Sequence, residues 1–130
     1  MATVAGGDQP PGQRLREYRP GGQKQRIGNY LGLAMKAGKV AAGDMAAAKA
    51  LKAGQAHLLT LAEDISPAVL KEIIPLAQQR CLPLLWWPDK DSLGLAVGKS
   101  RRGALAVLDK GFSEAILKLC TGGDPGSSRT

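Results

Sequence analysis

Lysines and glycines are placed in this chain as a phosphate-binding site would need them. Lys36, Lys39, Lys49 and Lys52 cluster around Gly38 and Gly43, and Gly43-Asp44 opens an alanine-dense stretch that closes at Gly54. A helix beginning there offers unpaired backbone N–H groups and a partial positive charge, which together favour an anion. Lys49 lies about a turn further along the same face, with Met45 between it and the helix start. A second cationic run, Lys99-Ser100-Arg101-Arg102, directly precedes a short apolar segment. Any one of these lysines alone reads as a solvated surface charge. The combination of glycine loop, helix start and several cations points to a ribose-phosphate chain.

Other chemistry finds little support. Glu63-Asp64 follows an apolar run and could serve acid/base work, but such a pair more often ends a strand and caps the next helix. There is no GxGxxG opening a helix, no Walker lysine, no HExxH and no GxSxG. With one histidine, His57, and two cysteines, Cys81 and Cys120, outside any CxxC pattern, neither a metal site nor a histidine-based triad is readily assembled. The cysteines read as reduced core residues of a cytosolic protein. No catalytic residue, metal, cofactor or small-molecule substrate is expected.

The balance of charge agrees with the lysine pattern. Lys and Arg number 18 against 11 acids, a net charge of +7 over 130 residues, which favours an acidic partner. The N-terminus has no signal-type apolar core and no run reaches the roughly 18 residues of a membrane helix. A cytoplasmic location without membrane partners follows as the expectation.

The elements that must position these residues can be read from periodicity. Residues 1–24 are rich in Gly and Pro, interleaved with Arg14, Arg16 and Arg19, and read as a flexible basic arm; 121–130 reads as a loose tail. Between them, helical and strand-like segments alternate. Ile27, Tyr30, Leu31 and Ala34 mark a first amphipathic helix stopping at Gly38, followed by a short extended piece at 39–42 and the alanine helix from Asp44 to Lys52. The apolar runs at 56–62, 82–87 and 104–108 suit strands buried on both faces. Ser66-Pro67 supplies a helix start for the stripe Val69, Leu70, Ile73, Ile74 and Ala77. A short helix at 91–97 and a closing helix at 112–119 complete an α/β chain whose sheet lies between helical layers.

The stretches Leu31-Gly32-Leu33-Ala34-Met35-Lys36-Ala37-Gly38-Lys39-Val40, Lys49-Ala50-Leu51-Lys52-Ala53-Gly54, Leu93-Gly94-Leu95-Ala96-Val97-Gly98-Lys99 and Ala104-Leu105-Ala106-Val107-Leu108-Asp109-Lys110-Gly111-Phe112 resemble the ribosomal protein L7Ae/L30e superfamily, and its bacterial YlxQ-type members in particular. The likeness covers residues 26–120 in order. It implies a three-layer α/β/α sandwich over 25–120 that binds kink-turn or related RNA, in a ribosomal or other ribonucleoprotein setting. In that family a GxNExxK pattern opens the second helix and its Asn and Glu read sheared G·A pairs. Here Gly43 and Lys49 match, while Met45 and Ala46 replace the base readers. Methionine is a weak acceptor and alanine none, so discrimination of roughly 1–3 kcal/mol per contact is missing. Phosphate contacts from Lys39 and Lys49 position without specifying.

The resemblance adds a second RNA-facing region, from Trp87-Pro88-Asp89 to Lys99-Ser100-Arg101-Arg102, where Trp87 could stack on an unpaired base, although a tryptophan at a strand end more often packs half-buried. Lys36, Asp44, Glu63 and Asp64 complete the candidate face. The competing expectation is a protein-interaction module that keeps the fold and has lost RNA recognition.

Overall fold

The computed structural model describes residues 15–123. Its order is β1 (Arg16–Arg19), a short 3-10 turn (Gly21–Gln23), α1 (Lys24–Lys36), β2 (Val40–Ala42), α2 (Asp44–Lys52), β3 (Leu58–Ala62), α3 (Pro67–Gln79), β4 (Pro83–Trp87), α4 (Lys90–Ala96), β5 (Ala104–Val107), α5 (Lys110–Leu119) and β6 (Thr121–Gly123). The strands form one sheet in the order β2-β5-β3-β4-β1-β6. Strand β3 runs parallel to β4 and antiparallel to β5, and β5 is antiparallel to β2.

Alternation along the strands divides the core in two, because successive side chains leave opposite faces of a sheet. Leu59, Leu61, Leu84, Ala104 and Ala106 pack beneath α2 and α3. Leu58, Ala62, Leu85, Trp87, Leu105 and Val107 pack against α1, α4 and α5. With both faces covered, β3 and β5 are buried at every position. That explains why their sequences are unbroken apolar runs rather than alternating ones.

The helix starts follow local chemistry. Ser66 caps α3 by accepting from Val69 N at 3.2 Å, with Pro67 at the first helical position. Asp89 Oδ1 accepts from Ser92 N at 2.7 Å and starts α4. The Ser92 hydrogen bonds hold the Asp89 carboxyl below the usual carboxylate range. Asp109 starts α5 through Phe112 N at 2.8 Å.

The inner ends of the expected arm and tail are ordered strands. Residues 16–19 are not loose: β1 pairs in parallel with β4 and antiparallel with β6. Tyr18 packs into the core, Arg16 donates to Cys81 O at 3.0 Å, and Glu17 Oε1 accepts from Trp86 Nε1 at 2.8 Å. Residues 121–123, expected in the tail, form β6. A four-residue strand with a single large apolar side chain carries too little periodicity to be read from sequence, and its partners lie far along the chain. The remainder of both expected segments, 1–14 and 124–130, lies outside the described residues.

Of the two cysteines expected in the core, Cys120 packs against it and Cys81 does not. Cys81 is exposed, in the turn that ends α3 with φ +56°, and Cys120 is half-buried at the end of α5. No disulfide joins them. Burial pushes the Cys120 thiol up to about 12, and it donates to Ile116 O at 3.2 Å.

Thr60, in the middle of β3, is fully buried and its hydroxyl has no partner among the described residues. An unpaired buried hydroxyl opposes folding, whereas valine has nearly the same shape. Thr60→Val is expected to raise stability by about 1 kcal/mol in urea denaturation, and an unchanged or lower midpoint would show that the hydroxyl is paired in solution.

Candidate nucleic-acid interface

Strand β2 delivers the chain to the start of α2. Gly43 N donates to Ala104 O at 2.8 Å, and Gly43 turns with φ +114° and ψ +160°, a conformation L side chains rarely adopt. Ala47 N then closes the first helical turn on Gly43 O at 2.8 Å. No side chain caps this end, so the first amides of α2 keep their donors for a ligand.

The segment joining α4 to β5 comes up beside it. Arg102 lies across Gly43, its Cδ and Nε 3.8 and 3.9 Å from where a side-chain carbon on Gly43 would stand. Arg102 Nη1 donates to Ser100 Oγ at 2.9 Å, to Arg101 O at 3.0 Å and to Ser100 O at 3.3 Å. A half-buried guanidinium is thereby held at the positive end of the helix. A cation there opposes the helix dipole by about 0.3–1 kcal/mol, a cost that a bound anion would remove.

Neighbouring loops are tied into the same rim. Ala62 N donates to Gly103 O at 2.9 Å, and Glu63 N to Trp87 O at 2.8 Å. Asp64 Oδ1 accepts from Lys90 N at 2.8 Å, and Arg102 N donates to Lys90 O at 3.1 Å. Arg101 pairs with Asp91 at 2.9 Å, and Arg19 stands 4.0 Å from Glu63, both exposed pairs of little energetic weight. Asp64 therefore works as a loop clamp, and Glu63 remains a solvated carboxylate at the rim. Asp44 turns inward: its Oδ1 is buried beside Gly103 and lacks a partner among the described residues.

Several expected site residues are placed differently. Trp87 is 2% exposed and packs against the α1 side of the sheet, so it cannot stack on a base. The neighbouring Trp86 is half-buried and occupied by Glu17. Lys36 and Lys39 do not flank Gly43. Leu108 N bonds Lys39 O at one end of β5 while Gly43 bonds Ala104 at the other, so about 13 Å of strand separates them. Gly43, Asp44, Met45 and Arg102 remain grouped at the α2 start, whereas Lys49 lies in the last turn of α2 and Lys99 and Arg101 sit on the segment that leads from α4 to Arg102. Met45 is 87% exposed on its first turn and borders a cleft of about 210 Å³ shared with α3. Arg102's anchoring to Ser100 and the clamp between Asp64 and Lys90 had no sequence signal beyond a charged run, since both depend on loops that meet only in the fold.

Residues 25–117 match the model of the ribosomal protein L7Ae/L30e/S12e/Gadd45 family. The chain belongs to this family. Among curated L7Ae-family relatives, the large ribosomal subunit protein eL8 of Picrophilus torridus is 32% identical over 64% of this chain and 66% of its own length. The RNA-binding protein YlxQ of Bacillus subtilis is 32% identical over 68% of this chain and 89% of its own. A structure of a protein of unknown function from Bacillus halodurans superposes with a TM-score of 0.68 at 29% identity, covering 72% of this chain and 95% of that one. A 15.5 kD RNA-binding protein of Giardia lamblia shares the fold, with a TM-score of 0.65 at 16% identity over 74% of this chain and 82% of its own. All the sequence-expected site residues fall inside the L7Ae-family match, whereas β1 and β6 lie outside it.

Among the described residues no group of three or more His, Cys, Asp or Glu could hold a metal, and no helix is long and apolar enough to cross a membrane.

Proposed function

We propose that this protein binds structured RNA without catalysis, in the cytoplasm and in a ribosomal or similar ribonucleoprotein setting. The observation that carries the reading is the uncapped amino end of α2 with Arg102 anchored across Gly43. Backbone amides, helix polarity and a preset guanidinium converge on one spot, which is what a phosphate requires. The names of the relatives, an RNA-binding protein and ribosomal proteins, agree with it.

The grip is chiefly on backbone and shape. Where the family pattern has its base-reading pair, this chain exposes Met45 and Ala46, which offer guanine edges almost nothing to bond. Double-stranded and kinked RNA is recognised largely through phosphate, sugar and shape, so such a surface binds with modest sequence discrimination.

The test is an anisotropy titration of a labelled RNA hairpin with an internal loop over a series of salt concentrations. Affinity falling steeply with salt supports the reading, because phosphate contacts release counterions. Affinity indifferent to salt, or no binding at low salt, overturns it.

A further inference from the structure

The sheet face turned away from α2 and α3 carries a surface that RNA binding leaves unused. Helix α1 meets the end of α4 along a groove of about 410 Å³, lined by Gly28, Gly32, Leu33 and Lys36 on one side and by Ala96 and Gly98 on the other. Gly32 is demanded by the fold, since a side-chain carbon there would sit 3.0 Å from Ala96 O. Gly28 is not. A side-chain carbon at 28 would meet Trp87 and Ala96 at 3.8 and 3.9 Å, which is ordinary contact. A glycine inside a helix weakens it relative to alanine, and no packing among the described residues accounts for this one.

Beneath Gly28 lies the Trp87 ring, with Cζ2 nearest. Its indole N–H belongs to the same ring edge, is buried, and has no acceptor among the described residues. Leu33, 53% exposed, is part of the groove lining, and Leu95, 76% exposed, precedes Ala96 on α4. Lys36 is the charged residue of the lining, Lys99 follows Gly98, and no carboxylate is among the lining residues.

We propose that this groove docks a partner protein through a short amphipathic helix carrying leucine-type side chains on one face and carboxylates beside them. A channel between two helices with an exposed leucine in its lining is the shape that receives such a helix. The lysines supply the complementary charge. Nucleic acid fits less well, because the groove offers no exposed aromatic or guanidinium plane on which a base could stack. The two surfaces lie on opposite faces of the sheet, so the domain would join RNA to a protein, and the proposal does not depend on the RNA reading.

The probe is a synthetic helical peptide of about 15 residues made of leucine, alanine and glutamate, with a twin in which lysine replaces glutamate. Both are titrated into the 15N-labelled full chain. The glutamate peptide is expected to move the amide signals of Gly28, Gly32 and Gly98, more strongly at low salt. Leu33→Glu with Leu95→Glu should weaken it about tenfold, and Gly28→Ala should weaken it while leaving the melting temperature unchanged or higher. The proposal is overturned if no groove amide moves up to about 1 mM peptide, if the lysine twin moves them equally well, or if an oligouridine RNA moves them instead.

Discussion

Gly94→Ala is expected to destabilise the domain by about 2 kcal/mol, enough to lower its melting temperature by about 10 °C, and to weaken RNA binding even where the fold survives. Gly94 is buried in α4, and the chain leaving that helix doubles back over it. Lys99 N and Val97 N bond Gly94 O at 2.9 and 3.1 Å. A side-chain carbon on Gly94 would stand 1.9 Å from Ser100 O and 2.6 Å from Ser100 C. The obstacle is main chain, which has no rotamer to escape into, so the 98–102 segment must shift bodily. Overpacking of this kind costs about 1–3 kcal/mol or more, offset by about 1 kcal/mol from alanine's better helix propensity. Because Arg102 hangs from Ser100, the same shift drags its guanidinium away from Gly43. Equilibrium urea denaturation gives the first effect and anisotropy the second. A variant as stable as the parent would show that Ser100 does not cross α4 so closely.

Most of the architecture was readable because it rests on signals that survive without tertiary context. Ser66-Pro67, the alanine run and the unbroken apolar strands each state a local preference, and the fold honours all of them. What escaped was what depends on distance along the chain. Strand β1 is legible only once β4 is known to have an open edge and Glu17 is known to meet Trp86. Cys81 looked like core because cysteine usually is, yet it occupies the left-handed turn after α3, a position that glycine normally takes.

The site divides the same way. Gly43 and the following helix announced themselves by composition, and the structure keeps them. A tryptophan at a strand end can stack on a base or, more often, pack half-buried. Strand parity sends Trp87 inward beside Leu85, and sends Trp86 to the other face with Leu84. Lys36 and Lys39 are close to Gly43 in sequence, but an intervening extended strand carries them apart, whereas a helix of equal length would have kept them near. The cation that does sit on Gly43 comes from fifty-odd residues further on, because β5 runs beside β2.

That relocation makes the decisive mutation Arg102→Ala rather than any change at Lys36 or Lys39. It is expected to weaken binding of a structured RNA about tenfold near 0.1 M salt and to reduce the slope of log affinity against log salt by about 0.7–0.9, the signature of one lost phosphate contact. All three of the guanidinium's bonds run from Nη1, so among the described residues nothing takes Nε or Nη2. Those donors are available to an anion at the α2 amides. The anchoring also means that little side-chain freedom is lost on binding. Arg102→Lys keeps the charge but cannot reproduce the fork, and should recover the salt slope while recovering only part of the affinity. Lys36→Ala with Lys39→Ala, at the far end of β2, should do less than Arg102→Ala alone. If Arg102→Ala lost affinity with an unchanged salt slope, the side chain would be acting by packing on Gly43; if it bound like the parent, the RNA would lie elsewhere on the protein.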